Sequence, residues 1–163
     1  MKLPDDLQPG DILLYATPGD FIDEVIEIFS DGVAHIEIYH GGGESVASRN
    51  GIGVNLYPYR SEGLLYVRRP LGTFQMALAD AWFNAGIRGL PYGWAGLLDP
   101  VGVDLPSRGL ICSTFADFYL SHGGLPQFAD DFPAGKAKPG DFRLVRSALT
   151  LWSSDPTAPA PNV

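Results

Sequence analysis

The chain has 163 residues, enough for one domain with a sizeable core and too few for two. Hydrophobic residues make up 45%, which excludes a disordered chain, and eleven basic against nineteen acidic side chains leave a formal charge of -8. That charge repels phosphate backbones and argues against nucleic-acid binding; the one adjacent basic pair, Arg68-Arg69 before Pro70, reads as a solvated strand end.

From the N-terminus, Met1 to Asp11 is largely polar and contains prolines, so no secretory signal is visible. No stretch reaches the roughly eighteen apolar residues of a membrane span. A cytoplasmic location is the expectation, although carriage in a phage particle or release on lysis would leave the same signature. After the turn Pro9-Gly10-Asp11, residues Ile12 to Ala16 read as a short buried strand. Asp20 can cap a helix in which Phe21, Ile22, Val25, Ile26 and Phe29 recur at helical spacing, and Ser30-Asp31-Gly32 stops it.

Ala34 to His40 and Ser45 to Arg49 then form a hairpin about Gly41-Gly42-Gly43. Ile52 to Tyr59 and Leu64 to Arg69 add two strands, and Pro70 ends the series. Thr73 can cap a helix striped by Phe74, Leu78, Ala81, Trp82 and Ala85. A glycine- and proline-rich loop from Gly86 to Gly109, with one helical turn around Trp94 to Leu98, leads into a helix that opens at Cys112 and stops at Gly123-Gly124. Asp141 to Val145 reads as a last strand, and residues 153–163 as a disordered tail after a single domain over 1–152. Hairpin-linked strands in one block, with helices outside it, give an α+β fold with an antiparallel sheet.

Cys112 is the only cysteine, which excludes an intramolecular disulfide and paired-cysteine zinc sites. As a class, lone cysteines are small buried hydrophobes. This one opens a helix, where the positive end of the backbone dipole favours a thiolate, and the preceding loop can leave the sulfur reachable. Cys112, Phe115, Ala116 and Tyr119 share one helix face.

Strand alternation puts His35, Glu37 and Tyr39 on one face and Ile36, Ile38 and His40 on the other. The isoleucines mark the core side, so His35 and Glu37 face a cleft or solvent, as a general base and its orienting carboxylate require. A plain polar strand face has the same pattern. His40 reads as a turn residue, and His122 as a cation complementing the C-terminal end of the helix dipole. No metal-ligand spacing is present, and no metal or cofactor is expected.

Gly89-Leu90-Pro91-Tyr92-Gly93-Trp94-Ala95-Gly96, then Cys112-Ser113 opening a helix, then Gly123-Gly124-Leu125-Pro126, resembles the cysteine segment of NlpC-type papain-like hydrolases. Here Ala34-His35-Ile36-Glu37-Ile38-Tyr39, with Gly10-Asp11-Ile12-Leu13 before it, precedes the cysteine. That order is similar to the circularly permuted branch, which includes YiiX-like amidases and lecithin:retinol acyltransferase-like enzymes. The resemblance spans roughly Pro9 to Pro126. It implies a papain-like fold, Cys112 as nucleophile and His35 as base, acting on an amide or ester through an acyl-enzyme. It also implies Tyr92 as a residue lining the substrate site, although an aromatic anchor for the loop fits that position equally well. Relatives carry a polar third residue about twelve positions after the histidine, where this chain has Ala47; Ser48 or Glu37 can substitute. Ile111 replaces the aspartate that precedes the cysteine in unpermuted relatives, and Gly93 stands where permuted ones often have a polar residue.

The leading expectation is therefore a cysteine hydrolase, an amidase or peptidase acting on a peptide or acyl-amide substrate, with cell-wall peptides as one source. An acyltransferase or lipid thioesterase on the same residues is the alternative, and a catalytically degenerate binding or structural module, favoured by Ala47, is the third.

Overall fold

In the computed structural model, which describes residues 6–16, 32–93, 110–125 and 137–154, six strands form one antiparallel sheet in the order β4-β3-β2-β1-β5-β6. They are β1 (Ile12–Tyr15), β2 (His35–Gly41), β3 (Glu44–Arg49), β4 (Gly53–Pro58), β5 (Leu64–Pro70) and β6 (Ala148–Ser153). The helices are α1 (Met76–Trp82), continued by a π-helical turn (Phe83–Ile87), then α2 (Cys112–His122) and the single turn α3 (Asp141–Leu144). The α+β class and the first five strands agree with the sequence reading. The helix expected from Asp20, the helical turn around Trp94 and the tail from residue 155 lie outside the described residues.

The β2–β3 hairpin turns on Gly42, whose φ of 62° costs a residue without Cβ nothing. That turn fixes the register, Ile38 opposite Val46 and Tyr39 opposite Ser45. Central β1 pairs Tyr15 with His35 and Leu13 with Glu37 on one side, and Leu13 with Val67 on the other. Ile12, Leu14, Ile36, Ile38, Val46 and Val54 join the main core with Phe115, Ala116, Tyr119 and Leu120 of α2. Leu13, Tyr15, Leu64 and Val67 form a second cluster, on the alternate face of the sheet.

That second cluster corrects the expectation that the His35–Glu37 face opens on a cleft or solvent. The sheet is buried on both faces, and Glu37, register partner of Leu13, is 0% exposed.

Helix α2 forms where expected. Its apolar stripe packs Phe115 against Trp82 and Phe83 of the α1 segment, with ring centroids 6.1 and 6.3 Å apart, and Gly124 at φ 86° ends it. His122 sits in the last turn, its Nδ1 2.8 Å from the Phe118 carbonyl and its ring stacked on Trp82 at 4.5 Å. Helix α1 starts later than Thr73 suggests: Gln75 is its N-cap, without a side-chain capping bond, and its backbone N–H donates to Gly123. Phe74 is instead held against Tyr119, at 5.8 Å between centroids, so packing fixes the entry to the helix.

Two further readings are corrected. Asp141 to Val145 is no strand: Asp141 Oδ2 accepts from the Lys138 backbone N–H at 2.8 Å, closing a turn that starts α3. Arg68 is buried rather than solvated, and donates to the carbonyls of Arg143, Val145 and Ala148 just after that turn. The last strand is β6, which runs through Ser153 on the edge beside β5. His40 is no mere turn residue either. Its Nε2 lies 3.1 Å from Asp80 of α1, whose Oδ1 also accepts from the Tyr119 hydroxyl at 2.8 Å. This polar cluster ties β2 to both long helices.

Candidate active site

Helix α2 points its N-terminus at the start of β2, and the side chains there meet. The Cys112 side chain lies near enough to the His35 ring to act on its charge, and His35 Nε2 lies 3.2 Å from Glu37 Oε1. The structure thus brings Cys112, His35 and Glu37, the three residues singled out in the sequence, to one place. Cys112 belongs to the main core and is 1% exposed, whereas the His35 side chain is 12% exposed. A substrate therefore reaches the sulfur only by displacing what covers it.

Glu37 is the hub of this cluster. Arg49 of β3 grips Oε1 through Nε at 3.0 Å and Nη2 at 2.7 Å, and the Ser45 hydroxyl donates to Oε2. Hydrogen-bonding capacity is used on both oxygens, as a buried carboxylate requires. Burial alone would raise the carboxyl pKa, but the hydrogen bond and charge of His35, the Ser45 hydroxyl and the Arg49 cation outweigh it and hold it down at about 2. For His35, burial disfavours the charged ring, yet hydrogen bonds to Cys112 and Glu37 and their negative charges push it up to about 9. Near neutral pH the arrangement pairs an imidazolium with the Glu37 carboxylate beside the Cys112 sulfur.

Arg49 and Ser45 escaped the reading of the sequence, although the signal was there. Once Tyr39 faces Ser45 across the hairpin, alternation places Ser45, Ala47 and Arg49 on the face that carries Glu37. Ala47 itself is fully buried, and the carboxylate beside the imidazole comes from the histidine's own strand.

Ser48 points the other way. Its hydroxyl donates to the Leu110 carbonyl, two residues before Cys112, and the backbone N–H of Gly93 donates to the same oxygen at 3.3 Å. Tyr92 forms a parallel bridge with Leu110. Ser48 and Tyr92 therefore both border the segment that launches α2, and Ser48 holds it from below. The loop reaches this place because Gly53, at φ 93°, leaves room for the Leu90 carbonyl where a Cβ would collide with it. Val54 N–H then donates to Leu90 at 2.8 Å, and Gly89 N–H to Val54 at 2.8 Å.

At the start of α2 the first intrahelical bond runs from Phe115 N–H to the Ile111 carbonyl, at 2.9 Å. Ile111 supplies no side-chain cap, and among the described residues the backbone N–H groups of Cys112 and Ser113 have no partner beside the sulfur. Two such donors at a helix N-terminus suit an oxyanion. Among the described residues there is no group of three or more His, Cys, Asp or Glu placed to hold a metal ion, and no helix long and apolar enough to cross a membrane. No protein-family model matches the chain, and comparison with curated proteins finds no match.

Proposed function

We propose that this protein is a papain-like thiol hydrolase of the permuted NlpC type, cleaving an amide or ester bond through an acyl-enzyme on Cys112. The observation that carries this reading is the juxtaposition of Cys112, His35 and Glu37 at the N-terminus of α2, with the carboxylate fixed by Arg49 and Ser45.

In this reading the ion pair is the resting state. The Cys112 thiolate attacks the carbonyl carbon, and the unspent N–H groups of Cys112 and Ser113 receive the developing oxyanion. His35, charged at neutral pH, donates its proton to the leaving amine or alcohol as the C–N or C–O bond breaks. The neutral ring then takes a proton from water, which attacks the thioester; the acid departs and the thiolate is restored. Glu37 keeps the ring oriented and stabilises its charge throughout. Peptide amides, including those of cell walls, are the substrate class favoured by the resemblance to permuted amidases.

Iodoacetamide at about pH 6 tests the reading, because free thiols are then almost wholly protonated. Cys112 is expected to be alkylated at least about tenfold faster than free cysteine. Alkylation no faster than free cysteine would count against it. The second reading, a binding or structural module without catalysis, is favoured by one observation, the burial of the sulfur. Slow alkylation in the folded chain, matched by a normal rate after unfolding in urea, would select that module.

A further inference from the structure

One cation of the cluster stands outside its hydrogen bonds. Arg60 follows β4, and its Nη2 stands 3.9 Å from Glu37 Oε1, beyond hydrogen-bond distance, while Arg49 and His35 occupy that oxygen and Ser45 the other. Its Nε is buried and has no hydrogen-bond partner, although the side chain as a whole is 37% exposed, against 22% for Arg49. The neighbouring Tyr59 hydroxyl is likewise buried without a partner. Arg60 is nonetheless held in place. Its guanidinium carbon lies 4.8 Å from the centroid of the Tyr15 ring, and its backbone carbonyl accepts from the Tyr15 hydroxyl at 3.0 Å. That same Tyr15 ring sits 6.3 Å from the His35 ring. The site therefore presents an ordered, half-exposed guanidinium one ring away from the imidazole.

Charge points the same way. Two guanidiniums, Arg49 and Arg60, and the His35 ring surround the single carboxylate of Glu37, in a chain whose formal charge is -8. The surplus lies on Arg60, the member open to solvent. A guanidinium offers a planar fork of donors that matches the two oxygens of a carboxylate.

We propose that Arg60 is the substrate-binding group for a carboxylate carried close to the scissile bond, so that the substrates are acidic peptides or acyl amides rather than neutral lipid esters. This rests on Cys112 being the nucleophile.

The test compares two alkylating reagents that differ only in that group, iodoacetate and iodoacetamide, on the full chain at about pH 6. In the wild type the ratio of the iodoacetate to the iodoacetamide rate at Cys112 is expected to exceed that of free cysteine by about fivefold. Arg60→Gln should remove most of that preference, Arg60→Lys should keep part of it, and added salt should weaken it in the wild type. Because Tyr15 bonds to the backbone of residue 60, both variants retain that tie. Alkylation by both reagents with a ratio that Arg60→Gln leaves unchanged overturns the carboxylate inference alone. Inertness of Cys112 to both reagents overturns this inference and the hydrolase reading together.

Discussion

Cys112→Ala is expected to lower turnover of a p-nitrophenyl acyl ester by about 10⁴-fold or more, with little loss of fold. The two halves of this expectation come from different links of the chain. Sulfur sits in an apolar setting beside Phe115 and Ala116, so alanine removes one small buried atom and leaves no unpaired polar group on the helix. The neighbouring hydroxyl is no substitute: Ser113 is fully buried and, among the described residues, its hydroxyl has no partner that could activate it. His35→Ala should cost turnover to a similar degree, since nucleophile and acid act as a unit, and the double variant should be little worse than either single one. Ester hydrolysis that survives Cys112→Ala would remove the acyl-enzyme from consideration.

The second large effect falls on stability. Glu37→Ala strips the half-buried Arg49 of its ion-pair partner, leaves the Ser45 hydroxyl without an acceptor and removes the anion beside the buried His35 ring. Breaking a buried pair from one side leaves an uncompensated charge, at a cost of about 3 to 5 kcal/mol. Urea unfolding monitored by tryptophan fluorescence reads this loss, and a loss under about 1 kcal/mol would show that Glu37 is not the hub described here.

The pH dependence carries the same signature. His35, raised from 6.5 to about 9, contributes stability that is complete below pH 6.5 and is lost as pH rises through 9. Glu37, lowered from 4.5 to about 2, contributes stability that is complete above pH 4.5 and is lost as pH falls through 2. The pair share one contact, so its stabilisation is greatest between pH 4.5 and 6.5. In Glu37→Ala the acid side of this profile should flatten.

Much of the framework was legible in the residues. The β2–β3 hairpin carries alternating apolar positions about three glycines, which leaves it one register, and helix α2 has an apolar stripe closed by Gly123-Gly124. The association of Cys112 with His35 came from the resemblance to permuted NlpC-type hydrolases, since nothing local to either residue reveals the other.

Three things were hidden for physical reasons. The burial of Glu37 depends on Leu13, Tyr15, Leu64 and Val67 gathering on its face from strands far apart in sequence. Asp-Phe-Arg-Leu-Val at 141–145 fits strand alternation and a helical turn equally well; the Lys138–Asp141 turn and the Arg68 cap decide it, and Arg68 comes from the other half of the chain. His40 looked like part of the glycine turn because Asp80 and Tyr119, which engage it, sit on helices α1 and α2.

The claim beneath all of this is that the His35 ring stays protonated between a thiol and a carboxylate well above its ordinary range. Ring nitrogen and carbon chemical shifts of His35, followed by NMR as the pH is raised, test that directly. A midpoint near 9, falling when Cys112 is replaced by alanine, is the predicted result. A midpoint at or below 6.5 that Cys112→Ala leaves in place would contradict it.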